Sequence, residues 1–342
     1  MNNTLNILYT CDENYAAYAG ISMNSLFENN KDIEHIRVYL VESKISEKSR
    51  ERLLKQAENF GRELIIVDSS YIVEEIKKLN IPTYRGSYSA NFRLFFHTFI
   101  SADVERLLYV DCDTVITGSL APILTLDMQG KAAAVVRDSL TDVYKTLVGL
   151  NEDEDYFNSG VILIDVKSWQ EHGVTEKLLD HTNNVRSRYC NPDQDLLNIA
   201  LRGDKYILPP EYNFQPSHRA FSDKAYFGAY KHKKYYSEAE LENARKNPVI
   251  LHSYRFLGDF PWHTGNLHPD TALFDKYMKN SLWADYEKKP SGRGLIFKIE
   301  KLLYKVMPKG LFLKLFAYIT LRSFKKQNAQ ILKEIETGEP AK

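Results

Sequence analysis

Short apolar runs and longer amphipathic stretches take turns through the first half of the chain. "LNILYT" precedes the helical pattern "YAAYAGISMNSLFENN", "IRVYLVE" precedes "SEKSRERLLKQAENF", and "ELIIVD" follows. Strands alternating with crossover helices predict parallel pairing and a sheet covered on both faces, an α/β fold. Ser46 stands where the N-cap of the second helical stretch belongs. "ERLLYV", "KAAAVVRD" and "GVILID" continue the strand series.

In such sheets ligands bind beyond the carboxyl ends of the strands. Acids fall at that edge: Asp12 after "NILYT", Asp111 and Asp113 after "RLLYV", and Asp138 after "AAAVVR". A lone Asp there is also an ordinary turn former or helix cap, and Asp12 and Asp138 fit that reading too. The pair asks for more. On a strand, Asp111 and Asp113 share a face while Cys112 points away, and two adjacent carboxylates repel unless a positive charge sits between them. A divalent cation supplies that charge: carboxylates suit Mg²⁺ or Mn²⁺, and a nearby imidazole favours Mn²⁺. His252, after the strand-like "PVILHSY", is the candidate third ligand, and a buried structural histidine is an equal reading of that residue taken alone. An ion held by three protein groups keeps positions open for a diphosphate.

The second half changes character. "LPPEYNFQPSHRAFSDKAYFGAYKHKKYY" reads either as a loop region covering a site or as an aromatic-packed surface meander. In "PSGRGLIFKIEKLLYKVMPKGLFLKLFAYITLRSFKKQ", Ile296, Ile299, Leu303 and Val306 follow helical spacing, and "MPKG" breaks the helix. Arg293, Lys298, Lys301, Lys305, Lys309, Lys314, Arg322, Lys325 and Lys326 face the single acid Glu300, with Phe297, Phe312, Phe316 and Tyr318 interspersed. Basic amphipathic helices of this kind lie on anionic membrane surfaces. An extension packed on the rest of the chain, or on a second subunit, reads the same. The expected division is a domain over 1–288 and a helical extension over 289–342, ending in a frayed "TGEPAK".

Composition narrows the partners. The 342 residues suffice for one large domain or two smaller ones, and 45 Lys plus Arg balance 45 Asp plus Glu, so no global charge attracts nucleic acid. Cys11, Cys112 and Cys190 are too widely spaced for a zinc motif and too few for a disulfide framework, which points to a reducing compartment. "MNNTLNILYTCDENYAAY" has no basic flank or cleavage site, so no secretory signal is expected. No stretch reaches the roughly 18 to 20 apolar residues that a membrane span requires.

Taken in order, "TCDENYAAYAGISMNSL", "YVDCDTVI", "YFNSGVILIDVKSW", "NPDQDLLNIAL", "LPPEYNFQP" and "ILHSYRFLGDFPWH" resemble glycosyltransferase family 8, which includes bacterial lipopolysaccharide galactosyl- and glucosyltransferases and glycogenin. The resemblance is collinear from about residue 5 to about residue 284. It implies a Rossmann-like GT-A fold with a mixed central sheet, and retaining transfer of galactose or glucose from a UDP-sugar. The acceptor is a glycan or glycolipid in lipopolysaccharide, capsule or glycoprotein synthesis. The enzyme would be cytoplasmic and peripheral on the inner face of the membrane, with Mn²⁺, or Mg²⁺ in its place, on the diphosphate.

Carried over by motif, Asp12, Asn14 and Tyr15 hold the uridine, with Tyr15 stacking on uracil, and Cys112 joins the nucleotide-binding set. Asp111, Asp113 and His252 bind the metal, Asp113 also touching the ribose. Arg93, in "YSANFRLFF", reaches the donor sugar or its phosphate, and Asp138, Asn158, Asp193 and Gln194 surround the hexose. Gly160 lets the backbone approach closely, and Asp193 is equally an N-cap of the helix opened by "PDQD". An amide such as Gln194 is a poor covalent nucleophile. A same-face attack, with Arg93 and the metal stabilising the departing UDP, is therefore favoured over a covalent step through Asp193. The family's Lys before the late Pro-Trp is Phe260 here. Gly258 still allows phosphate to approach, and Arg255 or His263 supplies the charge. A catalytically silent UDP-sugar-binding scaffold is the alternative; a nucleotidyltransferase would need a basic, Gly-rich phosphate loop that "TCDENYAAY" lacks.

Overall fold

The computed structural model describes residues 4–79, 81, 87–139, 142–184 and 192–337; Cys190 and most of the "TGEPAK" tail lie outside these. The strands are β1 (Thr4–Asp12), β2 (His35–Ser43), β3 (Glu63–Asp68), β4 (Arg106–Val110), β5 (Thr114–Ile116), β6 (Ala133–Arg137), β7 (Phe157–Asp165), β8 (Lys205–Ile207) and β9 (Ile250–His252). Seven form one sheet in the order β3-β2-β1-β4-β7-β6-β8, and β5 pairs with β9 apart from it.

The alternation read in the first half holds: β3, β2, β1 and β4 are parallel. Asp12 caps the first helix, Glu13–Asn29, by accepting from Asn14 N at 3.0 Å. Ser46 caps the next, Glu47–Asn59, accepting from Ser49 N at 3.2 Å. Side chains alternate between two cores, Ile7 and Tyr9 on one face of the sheet and Leu8 on the other. The first helix packs so tightly that a Cβ on Gly20 would stand 2.0 Å from the Trp283 ring.

"GVILID" departs from the parallel series. β7 runs antiparallel to both β4 and β6, and this reversal lays the beginning of β7 beside the end of β4. Residues 157–160 thus join the sheet edge where Asp111 and Asp138 emerge.

The stretch from 209 to 236 packs as an aromatic assembly: His218 lies 4.5 Å from Tyr226, and His232 stacks on Tyr235 at 4.7 Å. The C-terminal helices, Leu295–Val306 and Lys309–Thr337, are separated at Pro308. On their inner side Phe312 and Leu313 are buried with Phe221, Tyr226, Phe256 and Leu257, and Phe324 meets the Tyr144 ring at 4.9 Å. On their outer side Leu295, Ile296, Ile299, Leu302, Val306, Leu311, Leu315, Tyr318 and Ile319 are all exposed. Among the described residues no helix is long and apolar enough to cross a membrane.

Candidate active site

β4 ends at Val110, and the two acids lie on the turn that follows rather than on a strand. The turn is held by Asp111 N donating to Gly160 O at 2.8 Å and by Thr114 Oγ1 donating to Asp111 O at 2.8 Å. It hands the chain to β5, whose Thr114 pairs with His252 of β9. His252 Nε2 then stands 3.2 Å from Asp113 Oδ1 and 3.5 Å from Asp111 Oδ2. One ligand atom from each of the three residues falls within 4.8 Å of the others. The carboxylates do converge, through a turn and a strand pairing instead of period-two alternation. Gly160 serves this packing: a Cβ there would lie 2.1 Å from His252 Cε1 and 2.8 Å from Asp111 Oδ2.

Burial sets the electrostatics. Desolvation drives the Asp111 carboxyl above its ordinary range against the pull of Arg93, with Asp113 adding to the rise. Desolvation works against a charged His252, and the carboxylates of Asp113 and Asp111 overcome it, raising its pKa. A partly buried pair of acids beside a buried imidazole is a donor set that fits a hard divalent cation.

Arg93, only 5% exposed, lies behind these acids. Its Nη2 is 3.3 Å from Asp111 Oδ1 and 3.1 Å from Asp193 Oδ2. Nη1 donates to Ser159 O, Nε donates to Ala90 O at 2.8 Å, and the guanidinium lies 4.0 Å above the Tyr109 ring. Each of its nitrogens therefore has a protein acceptor, where the resemblance implied a donor-sugar or phosphate contact. Asp193 stands in the first turn of the helix Pro192–Ala200, beyond the cap position, and also accepts from Ser159 Oγ at 3.2 Å.

Asp138, Asn158 and Gln194 form one buried network. Asp138 Oδ2 accepts from Asn158 Nδ2 at 2.8 Å and from Gln194 Nε2 at 3.2 Å. Gln194 Oε1 accepts from Ser159 N at 3.0 Å, and its Nε2 also donates to Tyr156 OH at 2.9 Å. Asp195 is structural, accepting from Tyr144 OH and Tyr156 OH.

On the nucleotide side, Asp12 also accepts from Ser87 Oγ at 3.0 Å, Asn14 is exposed, and Tyr15 meets Tyr18 and Trp262 edge-on at 5.5 and 6.3 Å. The Cys112 side chain is buried and donates to Thr10 O at 3.3 Å, so it points away from the acids as anticipated.

Gly258 does not open onto free space. At φ +80° it lies under Phe297 of the penultimate helix, 2.4 Å from where its Cβ would be. Beside it Asp259 pairs with Lys301 Nζ at 2.7 Å, and Phe260 stacks on Trp262 at 4.5 Å, which stacks in turn on Tyr18 at 3.8 Å. His263 Nδ1 accepts from Phe260 N at 3.2 Å and lies 3.4 Å from Asp259. The loop that replaces the family's Lys is thus tied to the C-terminal helices.

Sequence reasoning did not pick out Asn213, which touches both His252 and Asn158. It lies within "LPPEYNFQP", but one Asn before an aromatic has no spacing that marks it. Tyr109, Tyr156 and Ser159, which hold Asp111, Gln194 and Asp193, were also missed; positions in or beside apolar strands read simply as core.

The sequence profile described as Glycosyl transferase family 8 matches residues 6–265. A lipopolysaccharide 1,2-glucosyltransferase of Escherichia coli (strain K12) is 30% identical over 287 residues, covering 82% of this chain and 79% of that protein. Among solved structures, the WbbM bifunctional glycosyltransferase superposes with a TM-score of 0.69 at 20% identity, covering 83% of this chain and 51% of that one. The galactosyltransferase LgtC, solved with donor and acceptor sugar analogues, superposes with a TM-score of 0.65 at 23% identity, covering 81% and 96%. These likenesses establish the GT-A fold, and with the profile match and the 30% identical relative they show that the chain belongs to glycosyltransferase family 8.

Proposed function

We propose that this glycosyltransferase moves galactose or glucose, with retention, from a UDP-sugar to a glycan or glycolipid acceptor in lipopolysaccharide or related cell-surface polysaccharide synthesis. The observation that carries the reading is the convergence of Asp111, Asp113 and His252 beside the Asp138, Asn158, Asp193 and Gln194 network at one sheet edge. The three former residues would hold Mn²⁺ or Mg²⁺, which when bound supplies positive charge to the departing diphosphate. Asp12, Asn14 and Tyr15, at the open end of the first helix, are the groups proposed to receive the uridine.

A same-face attack is the mechanism that the side chains favour. Gln194 is an amide whose polar atoms already bond to Ser159, Asp138 and Tyr156. Asp193 is paired with Arg93, which stabilises its carboxylate and weakens it as a nucleophile. The intact acids and their buried supports also favour catalysis over a silent scaffold.

The exposed apolar stripe of the last two helices, flanked by lysines and arginines, supports a peripheral seat on an anionic membrane with a lipid-borne acceptor. Removing residues 289–342 would be a poor test, because it strips Phe312 and Leu313 from a shared core. Hydrolysis of a panel of UDP-sugars with Mn²⁺, Mg²⁺ or EDTA, on the native chain and on Asp113→Ala, tests the reaction. Metal-dependent turnover of one donor, lost in the variant, is expected; turnover unaffected by EDTA would overturn the metal part.

A further inference from the structure

We propose that Asn213 is a positioning residue that holds the His252 side-chain proton on Nδ1, leaving the Nε2 lone pair directed at the space between Asp111 and Asp113. The inference rests on the reading of His252 as a metal ligand. It follows from the polarity of a chain of buried hydrogen bonds, each link of which admits one direction.

The chain is anchored at one end by groups of unambiguous character. Gly160 N is a backbone donor, and it lies 3.0 Å from Asn158 Oδ1. The Asp138 carboxylate, an acceptor when ionised, lies 2.8 Å from Asn158 Nδ2. Both contacts orient the Asn158 amide the same way. Its oxygen then faces Asn213 at 3.0 Å, so Asn213 must present its NH₂ there and its oxygen on the other side. That oxygen meets His252 Nδ1 at 3.0 Å. A carbonyl oxygen only accepts, so Nδ1 carries the hydrogen. In the neutral ring the other nitrogen is then an unprotonated ligand atom, the arrangement that a metal-binding histidine requires.

The backbone holds this geometry independently of the side chains. Phe214 N donates to Ile250 O at 2.8 Å and His252 N to Phe214 O at 3.2 Å, so the segment bearing Asn213 is laced to β9 beside its last residue. Asn213 is 1% exposed, Asn158 8% and His252 3%, so the link is shielded from bulk water. One consequence is that Asp138 and Asn158, assigned by resemblance to the sugar, also define the ligand geometry of the metal side. An error in either amide's orientation would be transmitted to His252.

The direct test uses the native chain in EDTA, at a pH where the imidazole is neutral. Long-range ¹H–¹⁵N correlation spectra on ¹⁵N-histidine protein, with His252 assigned by comparison with His252→Gln, report which nitrogen bears the hydrogen. Because the carboxylates of Asp113 and Asp111 favour a hydrogen on Nε2 in the metal-free chain, the reading is comparative: the native chain is expected to hold more Nδ1–H than Asn213→Leu, and an equal or smaller share overturns the proposal whether or not a metal binds. Mn²⁺ affinity, read by electron paramagnetic resonance of free Mn²⁺, gives the second arm. Removing an outer partner of this kind lowers metal affinity by about 10- to 100-fold. Asn213→Leu should show that loss, whereas Asn213→Asp, which keeps an acceptor for Nδ1–H although it gives up the donor to Asn158 Oδ1, should lose less. Turnover of Asn213→Leu should recover at saturating Mn²⁺, raising the metal concentration for half-activity more than it lowers kcat. Unchanged affinity in a folded Asn213→Leu, or equal loss in both variants, overturns the proposal. Failure of the native chain to bind Mn²⁺ would instead sink the metal reading, while the spectrum still decides the hydrogen position.

Discussion

The active edge and the C-terminal helices break the usual distribution of residues in opposite senses. At the edge Arg93, Asp138, Asn158, Asp193, Gln194, Asn213 and His252 are buried, each at 8% exposure or less; on the last two helices Leu295, Ile296 and Val306 are more than two-thirds exposed. Buried polar groups are tolerated because each has a partner, which locks the array into one geometry. Exposed apolar groups have no such partner among the described residues, and a contiguous patch of them fits the membrane surface proposed above. The first arrangement suits a reaction that needs fixed distances, and the second a surface that needs only area and charge. The two meet where Phe297 covers Gly258 and Lys301 holds Asp259.

The sharpest way to break the contrast is at the acids. Asp113→Ala or His252→Ala should lower metal-dependent turnover by about 10²–10³-fold, the usual effect of losing one element of preorganised charge stabilisation. Steady-state rates with the preferred UDP-sugar check this. Next comes the buried cation: Arg93→Met leaves Asp111 and Asp193 without their common counter-charge, and breaking such a pair costs about 3–5 kcal/mol of folding stability. Urea unfolding measures it. Arg93→Lys should not restore the loss, since one ammonium cannot serve Asp111, Asp193, Ser159 and Ala90 together.

At the other pole, Ile296→Gln, Ile299→Gln and Leu302→Gln combined should reduce binding to phosphatidylglycerol vesicles by well over about tenfold, given about 1.5 kcal/mol or more per fully buried aliphatic side chain. The melting temperature should hardly move, because these side chains are exposed. Vesicle sedimentation with unchanged thermal unfolding would sharpen the comparison; undiminished binding would remove the membrane from it. A further effect is one of pH. Burial, with Arg245 and His232 adding, pushes the His218 pKa down to about 3. Its neutral form is the folded form, so its contribution is intact above about pH 6.5, the unfolded value, and is lost as pH falls from there towards about 3. Native stability should therefore fall more steeply across that window than the stability of His218→Gln, by at most about 1.4 kcal/mol per pH unit.

Much of this was legible along the chain, and for a physical reason. Strand and helix periods, Asp12 and Ser46 as caps, the break at Pro308 and the apolar–basic alternation of the last helices depend on neighbours a few residues away. The Asp111, Asp113 and His252 set was legible as residue types suited to one ion, and the resemblance placed each in a motif. Their means of meeting was not. The reversal of β7, which carries Asn158 and Gly160 to the end of β4, is a matter of strand order, to which local pattern is blind. The commitment of Arg93 to Asp111 and Asp193, the covering of Gly258 by Phe297 and the Asn213 link to His252 join residues from 18 to 100 positions apart. Local periodicity records which face a residue takes, because that depends on backbone geometry. Which distant partner it meets depends on how the whole chain closes, and only the folded molecule supplies that.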